Sequence, residues 1–206
     1  MPFEPKNHAR FEAAISRFDQ ENSLDPKRIE IDGSLQPYEL VYSQWLTDWV
    51  LKLAPEASEE LRLAARCQHL CRWTLPRERY PMTRAGYLQW REALKKFHAQ
   101  KAGQILRETG YPQDAVARVQ SLNLKKNFPA DLESRVLEDA LCLVFLERQF
   151  TELAGKTSEE KMIGAIQKTW KKMSPQAQAI AKALTYTARE QSLLQKALDA
   201  SASNLD

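Results

Sequence analysis

The sequence predicts an all-α protein that folds as a single bundle of about seven or eight helices. Two observations lead to this fold class. Only six of the 206 residues are glycine, and the apolar residues recur at helical spacing rather than in alternation. Because a chain of this length can bury a complete core, we expect residues 1–206 to form one domain. Residues 157–206 are expected to be a C-terminal helical extension packed on the bundle.

The N-terminal part of the chain contains three predicted helices. The first carries Phe11, Ile15 and Phe18 and ends at a turn over residues 22–26. The second ends before Pro55 and presents an aromatic stripe at helical spacing, formed by Tyr38, Tyr42, Trp45 and Trp49. The third helix is expected to begin at Ser58 and to end at Trp73.

An irregular crossing is predicted between the third and the fourth helix. Pro76 and Pro81 lie within it, and each proline removes a backbone donor and restricts the residue that precedes it. The fourth helix is expected over residues 84–109, with Gly110 as its C-terminal stop. A short fifth helix is expected over residues 113–122.

The sixth predicted helix covers residues 132–150 and begins after Asp131, a favourable capping residue. Apolar residues cover most of its faces, so we expect it to lie at the centre of the fold. Asp139 interrupts this apolar stripe, and a buried carboxylate is costly unless it is paired, hydrogen-bonded or bound to a metal. Asp139 is therefore either a metal ligand or catalytic carboxylate, or one partner of a buried ion pair. In both cases we expect it to contact a histidine or an arginine from residues 66–98.

Two further start signals follow. Thr157 and Glu160 fit a capping box for the next helix. Ser174 followed by Pro175 predicts the start of the last helix, which fades into a polar tail.

Composition excludes several classes of function. Three cysteines cannot all pair, which favours a reducing, cytoplasmic setting. No apolar run approaches the ~20 residues needed to cross a bilayer, so we expect no membrane partner. The net charge of +3 is too small for a general nucleic-acid coat. Glycine-rich loops of the P-loop and Rossmann types are absent, as is the G-x-S-x-G nucleophile motif.

Residues 66–101, here called the basic segment, are rich in positively charged, imidazole and aromatic side chains. They include nine lysines and arginines against two glutamates, together with two histidines, two tryptophans and two tyrosines. Guanidinium groups match the geometry of phosphate, and imidazoles serve as acids, bases or ligands near neutral pH. We therefore expect an anion pocket with Asp139 at its floor. Its predicted walls are His69, Arg72, Arg77, Arg84, Tyr87, Arg91 and His98.

Five sequence words resemble the uncharacterised family catalogued as domain of unknown function 4202. They are QHLCRW (68–73), PRERYP (76–81), RAGYLQWREALKKFHA (84–99), LEDALCLVFLE (137–147) and KTWKKMS (168–174). The resemblance extends from about residue 11 to residue 184. It implies a cytoplasmic helical protein whose activity is not known.

A second resemblance is to the HD phosphohydrolases, helical enzymes that bind a metal through histidines and aspartates. Ala64-Ala65-x-x-Gln68-His69 is similar to their Ala-Ala-x-x-His-Asp helix, and Asp139 is similar to their final aspartate. Gln68 and His69 depart from that pattern, and the second predicted helix offers only the acids Glu39 and Asp48. A divalent metal, if bound, would therefore need a remodelled ligand set, namely His69, His98 and Asp139.

Two functions remain open from the sequence, beside a purely structural or interaction role in which the basic segment is a structural network. The first is a helical hydrolase, with or without a metal, of a phosphorylated small molecule or nucleotide. In this hypothesis His69, His98 and Asp139 hold a metal or act as acid and base. The alternative is a non-catalytic module that uses the basic segment to bind RNA or an acidic protein.

Overall fold

The computed structural model describes residues 3–202. Within this range the chain forms ten α-helices and one two-stranded hairpin, which confirms the all-α class. The helices are α1 (His8–Ser23), α2 (Tyr38–Leu53), α3 (Glu59–Cys67), α4 (Arg84–Glu108), α5 (Gln113–Asn123), α6 (Leu132–Val144), α7 (Phe150–Lys156), α8 (Glu159–Trp170), α9 (Pro175–Lys182) and α10 (Ala188–Ala202). No helix among these residues is long and apolar enough to cross a membrane.

The described residues divide after Leu137 into two compact units. The first unit contains α1 to α5, and the second contains α7 to α10, while α6 crosses the boundary. The predicted extension from residue 157 therefore begins inside the second unit. The helix count exceeds the prediction for two reasons: a π-helical turn, Phe145–Gln149, separates α6 from α7, and the predicted last helix is interrupted between α9 and α10.

Sequence analysis missed the hairpin of β1 (Arg28–Ile31) and β2 (Ser34–Pro37). The strands are antiparallel, and a two-residue loop of Asp32 and Gly33 joins them. Both loop residues have positive φ, 50° and 76°, which a tight hairpin turn requires and which Asp-Gly favours. This dipeptide is the signal that could have predicted the hairpin.

Asp25 links the hairpin region to the start of α2. Its buried carboxylate accepts hydrogen bonds from the backbone N–H groups of Lys27 and Glu39, each at 2.9 Å. A side-chain acceptor at the beginning of a helix satisfies a donor that has no partner within the helix. Asp25 thus holds the first turn of α2, and with it the backbone of Glu39.

Helix α3 ends at Cys67, six residues before the predicted end at Trp73. Cys71 adopts a left-handed conformation with φ 53°, and its N–H donates to the buried side-chain oxygen of Asn22 at 3.0 Å. This contact redirects the chain after α3. The predicted irregular crossing is confirmed, with two short 3-10 turns, Arg72–Thr74 and Arg77–Arg79.

The crossing packs closely on the first turn of α4. Thr83 caps this helix by accepting a hydrogen bond from the Gly86 N–H at 3.1 Å. A Cβ atom at position 86 would lie 2.1 Å from the Pro81 carbonyl oxygen, so only glycine permits this approach. The start of α4 is thereby fixed against the crossing.

Capping predictions in the second unit had mixed outcomes. Ser174 caps α9 by accepting a hydrogen bond from the Ala177 N–H, as predicted. The capping box at Thr157 is wrong, because Ser158 is the N-cap of α8 and makes no side-chain capping hydrogen bond. A reciprocal capping box that the sequence analysis missed begins α10, where Thr187 and Glu190 exchange hydrogen bonds.

Candidate functional site

The two histidines of the basic segment come together in the first unit. His69 lies two residues beyond α3, His98 lies in α4, and their ring centroids are 5.8 Å apart. His98 Nδ1 is 2.8 Å from the carbonyl oxygen of Leu70, and because a carbonyl only accepts, this nitrogen carries the proton. His98 Nε2 is then an acceptor, and it is buried without a hydrogen-bond partner in the part of the chain that the structure describes.

Both imidazoles are neutral at physiological pH. Burial is the main cause that lowers their pKa values well below the ordinary value of 6.5. The positive charges of Arg72 and Arg91 lower the pKa of each ring further, and Lys125 acts on His69 in the same direction. A neutral imidazole has a lone pair that can accept a proton, but the burial and the positive charges around these rings disfavour the imidazolium until an anion offsets them.

Glu39 provides the carboxylate of this cluster. It is buried in the first turn of α2, with Oε2 3.4 Å from His69 Nδ1 and Oε1 3.7 Å from Arg72 Nε. Burial raises the pKa of its carboxyl to about 7, against the opposing charges of Arg72 and Lys27. Oε2 is buried and makes no hydrogen bond with any residue between 3 and 202. An acceptor held in this state is costly to the fold.

Tyr42 fixes the plane of the His69 ring. The two rings are stacked, with centroids 4.2 Å apart and an interplanar angle of 11°. Tyr42 is buried on α2, one helical turn after Glu39, so one helix supplies both the stacking partner and the carboxylate. The ring face of His69 is covered by this contact, and its Nδ1 edge is directed at Glu39.

Arg72 is held between an acid and an aromatic ring. Its guanidinium carbon lies 4.9 Å from the centroid of Trp90, in a cation–π contact, and its Nε faces Glu39. Trp90 is itself fixed, because its Nε1–H donates to the Leu75 carbonyl oxygen at 2.9 Å. Burial lowers the pKa of Arg72, and Arg91 contributes in the same direction.

The remaining predicted pocket residues have different positions. Arg77 is bound to its own loop, with guanidinium hydrogen bonds to the carbonyl oxygens of Tyr80 (2.9 Å), Pro81 (2.7 Å) and Thr83 (3.3 Å). Arg84 is exposed at the first position of α4. Tyr87 is 46% exposed.

Asp139 lies in the second unit. It is buried in α6, as its position in the apolar stripe predicts, and its Oδ1 accepts a hydrogen bond from the backbone N–H of Ser174 at 2.8 Å. The contact described for this carboxylate is thus the N-cap of α9, where the sequence analysis expected a histidine or an arginine. Its predicted role at the floor of an anion pocket stays a prediction.

Sequence analysis missed Glu39 and Tyr42 as site residues. Glu39 was noted only as an acid of the second helix, and Tyr42 only as part of an aromatic stripe. The usable signal was their spacing, since an acid three residues before a buried aromatic residue lies on the same helical face. The partner of both, His69, lies about 30 residues further along the chain, and no local pattern connects them.

In residues 3–202, no group of three or more histidine, cysteine, aspartate or glutamate side chains is arranged to hold a metal ion. A surface cavity of about 280 Å³ lies between α4 and α5 and contains none of the predicted site residues. It is lined by Lys96, Ala99, Gln100, Ala117, Gln120, Ser121, Leu124 and Lys126.

Comparison with known proteins gives one match. The model of a family described as Domain of unknown function (DUF4202) matches residues 12–194 of the chain, which confirms the resemblance found in the sequence words. No curated protein and no solved structure matches the chain.

Proposed function

The chain belongs to the DUF4202 family, and we propose that it is a hydrolase of a phosphorylated small molecule. The observation that carries the proposal is the contact between His69 Nδ1 and the buried Glu39 Oε2 at 3.4 Å, next to Arg72, whose Nε lies 3.7 Å from Glu39 Oε1. A carboxylate that faces one imidazole nitrogen orients the ring and leaves the other nitrogen for proton transfer. Arginines placed beside such a base supply the charge that a phosphate group needs.

His69 acts as the general base in this proposal. In this proposal Nδ1, which lies 3.4 Å from Glu39 Oε2, carries the ring proton, and the Nε2 lone pair accepts a proton from water. The water oxygen forms a bond to phosphorus while the ester P–O bond breaks, and His69 then returns the proton to the departing alcohol oxygen. The products are an alcohol and inorganic phosphate. The bound phosphate dianion offsets the arginine charges, which favours the transient imidazolium and supports proton uptake.

Arg72 and Arg91 bind the phosphate. Glu39 and Trp90 fix the guanidinium of Arg72 from two directions, so little conformational entropy remains to be lost when an anion binds. With a pKa of about 7, Glu39 is partly protonated at neutral pH, and the cluster then keeps an excess of positive charge. Arg77 contributes indirectly, by holding the crossing that carries Arg72.

A non-catalytic module that binds RNA or an acidic protein is the second candidate. It is favoured by Arg79 and Arg84, which are exposed on the crossing and at the start of α4. Such a surface would bind in a strongly salt-dependent manner and without turnover.

The test is the release of inorganic phosphate from a panel of phosphomonoesters. We expect turnover by the wild-type protein and a loss of about 100-fold or more in kcat for His69→Asn, the range for removal of a general base. Arg72→Ala and Arg91→Ala should raise KM. Arg28→Ala is the matched control, because Arg28 is an exposed arginine on β1 of the same unit.

Binding gives a second readout that does not require the right substrate. Phosphate should raise the melting temperature of the wild-type protein and of Arg28→Ala relative to chloride at matched ionic strength. It should not do so for Arg72→Ala. If no phosphomonoester is hydrolysed while RNA binds with a steep salt dependence, the second candidate replaces the first.

A further inference from the structure

We infer that the phosphorylated ligand carries a planar nucleobase, which stacks on Tyr87. The inference rests on the proposed function, because it uses Arg72 and Arg91 as the phosphate ligands, and it adds the substrate class: a nucleoside 5′-phosphate. The evidence is a chain of aromatic and guanidinium contacts that leads from Arg72 to an exposed ring.

Trp90 is not the stacking surface, since its ring already has partners. The guanidinium carbon of Arg72 lies over this ring at 4.9 Å and that of Arg77 at 6.0 Å. The hydrogen bond from its Nε1 to the Leu75 carbonyl oxygen prevents the ring from turning away. Trp90 therefore serves as a fixed support for the phosphate-binding arginine.

Tyr87 is the aromatic ring that remains accessible. Its centroid lies 5.9 Å from that of Trp90 with an interplanar angle of 51°, and 46% of the residue is exposed. Tyr87 and Arg91 are four residues apart on α4, so they lie on the same face of the helix. A ring in this position is one aromatic contact away from Arg72 and one helical turn away from Arg91.

The surroundings of Tyr87 are also apolar and exposed. Met82 is 77% exposed and Leu88 is 57% exposed, at the end of the crossing and in the first turns of α4. An apolar surface beside a cationic cluster matches a ligand with a planar, weakly polar end and an anionic end. A nucleoside 5′-phosphate has these two ends, whereas a sugar phosphate has only the second.

Calorimetric titration of the full chain tests the inference. The probes are the phosphonate analogues of adenosine 5′-phosphate and of ribose 5-phosphate, in which carbon replaces the ester oxygen so that they cannot be hydrolysed. We expect the adenosine analogue to bind more tightly by about 5-fold to 100-fold, the range for stacking of one base on an aromatic side chain. Tyr87→Leu should abolish this preference, and Tyr87→Phe should keep it.

Leu35→Ala is the control, because it removes an exposed apolar side chain from β2, outside the surface formed by Tyr87, Met82 and Leu88, and should leave the preference unchanged. Equal affinity of the two analogues for the wild-type protein would overturn the inference and leave the proposed function standing. A preference that survives in Tyr87→Leu would also overturn it. Failure of both analogues and of inorganic phosphate to bind would instead contradict the proposed function. If a single-stranded RNA oligonucleotide without a terminal phosphate binds more tightly than the adenosine analogue, the ring of Tyr87 serves RNA binding and the inference is overturned.

Discussion

Glu39 and Asp139 are both buried carboxylates on helices, yet they differ in the partners that their oxygens contact. Asp139 is 4% exposed and accepts a hydrogen bond at 2.8 Å from the backbone N–H of Ser174, the N-cap residue of α9. Glu39 is 5% exposed, faces His69 and Arg72 at longer distances, and has an oxygen without a hydrogen bond. Burial is the same for the two groups, and only the quality of their partners differs.

This difference separates a buried carboxylate that is held by a short backbone hydrogen bond from one whose contacts with its partners are longer. A hydrogen bond such as the one that Asp139 accepts offsets part of the cost of burying the group. A buried acid that lacks a partner costs stability, and such a group is retained where it serves a ligand or a reaction. In the apolar stripe of the sequence Asp139 is the more conspicuous residue, whereas the tertiary contacts single out Glu39.

The largest expected effect concerns the pH dependence of stability at Glu39. Burial raises the pKa of this carboxyl from 4.5 to about 7, so the folded chain keeps a proton that the unfolded chain has released. Stability is therefore lost as pH rises through this window. Glu39→Gln removes this titration. The free energy of unfolding of the variant, relative to that of the wild-type protein, should therefore increase by about 3 kcal/mol between pH 4.5 and pH 8.

Denaturant unfolding at several pH values measures this gain. His69 and His98 contribute in the opposite direction, because their lowered pKa values cause stability to be lost as pH falls below 6.5. Because His69 contacts Glu39, its titration also changes in the variant, so Glu39 is assigned from the sign of the effect: its contribution to the difference grows as pH rises. Asp48→Asn changes the same charge at an exposed position of α2 and serves as the control. A difference that stays constant with pH would contradict the assignment of Glu39.

A smaller effect is expected at Asp139. Asp139→Ala leaves the half-buried Ser174 N–H without its acceptor and should cost roughly 1 kcal/mol in the free energy of unfolding, measured with urea. Asp139→Asn keeps a side-chain oxygen at the same place and should retain most of the stability. If Asp139→Asn is as destabilised as Asp139→Ala, the hydrogen bond to Ser174 is not the role of this carboxylate.

The smallest expected effect is a difference in stability between variants of Arg77 and Arg84, which the sequence analysis placed together in the walls of one pocket. Arg77→Ala removes hydrogen bonds to three carbonyl oxygens of the crossing and should cost about 1 kcal/mol, since these groups can still reach solvent. Arg84→Ala changes an exposed arginine a few residues away and should alter stability by less than about 0.5 kcal/mol. Urea unfolding of both variants checks this. Equal stabilities would show that the loop contacts of Arg77 contribute nothing.

Local patterns predicted some starts and stops of the helices. The aromatic stripe of α2 and the Ser174-Pro175 cap of α9 identified elements that the structure confirms. The predicted end of α3 at Trp73 was wrong. The observed end depends on Asn22, a buried residue that lies 49 positions before Cys71 in the chain. No signal within α3 reports that distant acceptor.

The sequence by itself determined that the protein is helical and that positively charged, imidazole and aromatic side chains are concentrated in the basic segment. Periodicity and capping act over a few residues, and they can therefore be seen in the chain without its fold. Only the tertiary structure decided that Glu39 faces His69, that Trp90 supports Arg72, and that Arg77 is occupied by its own loop. These pairings depend on helix packing and loop geometry, which bring together residues that no local spacing relates.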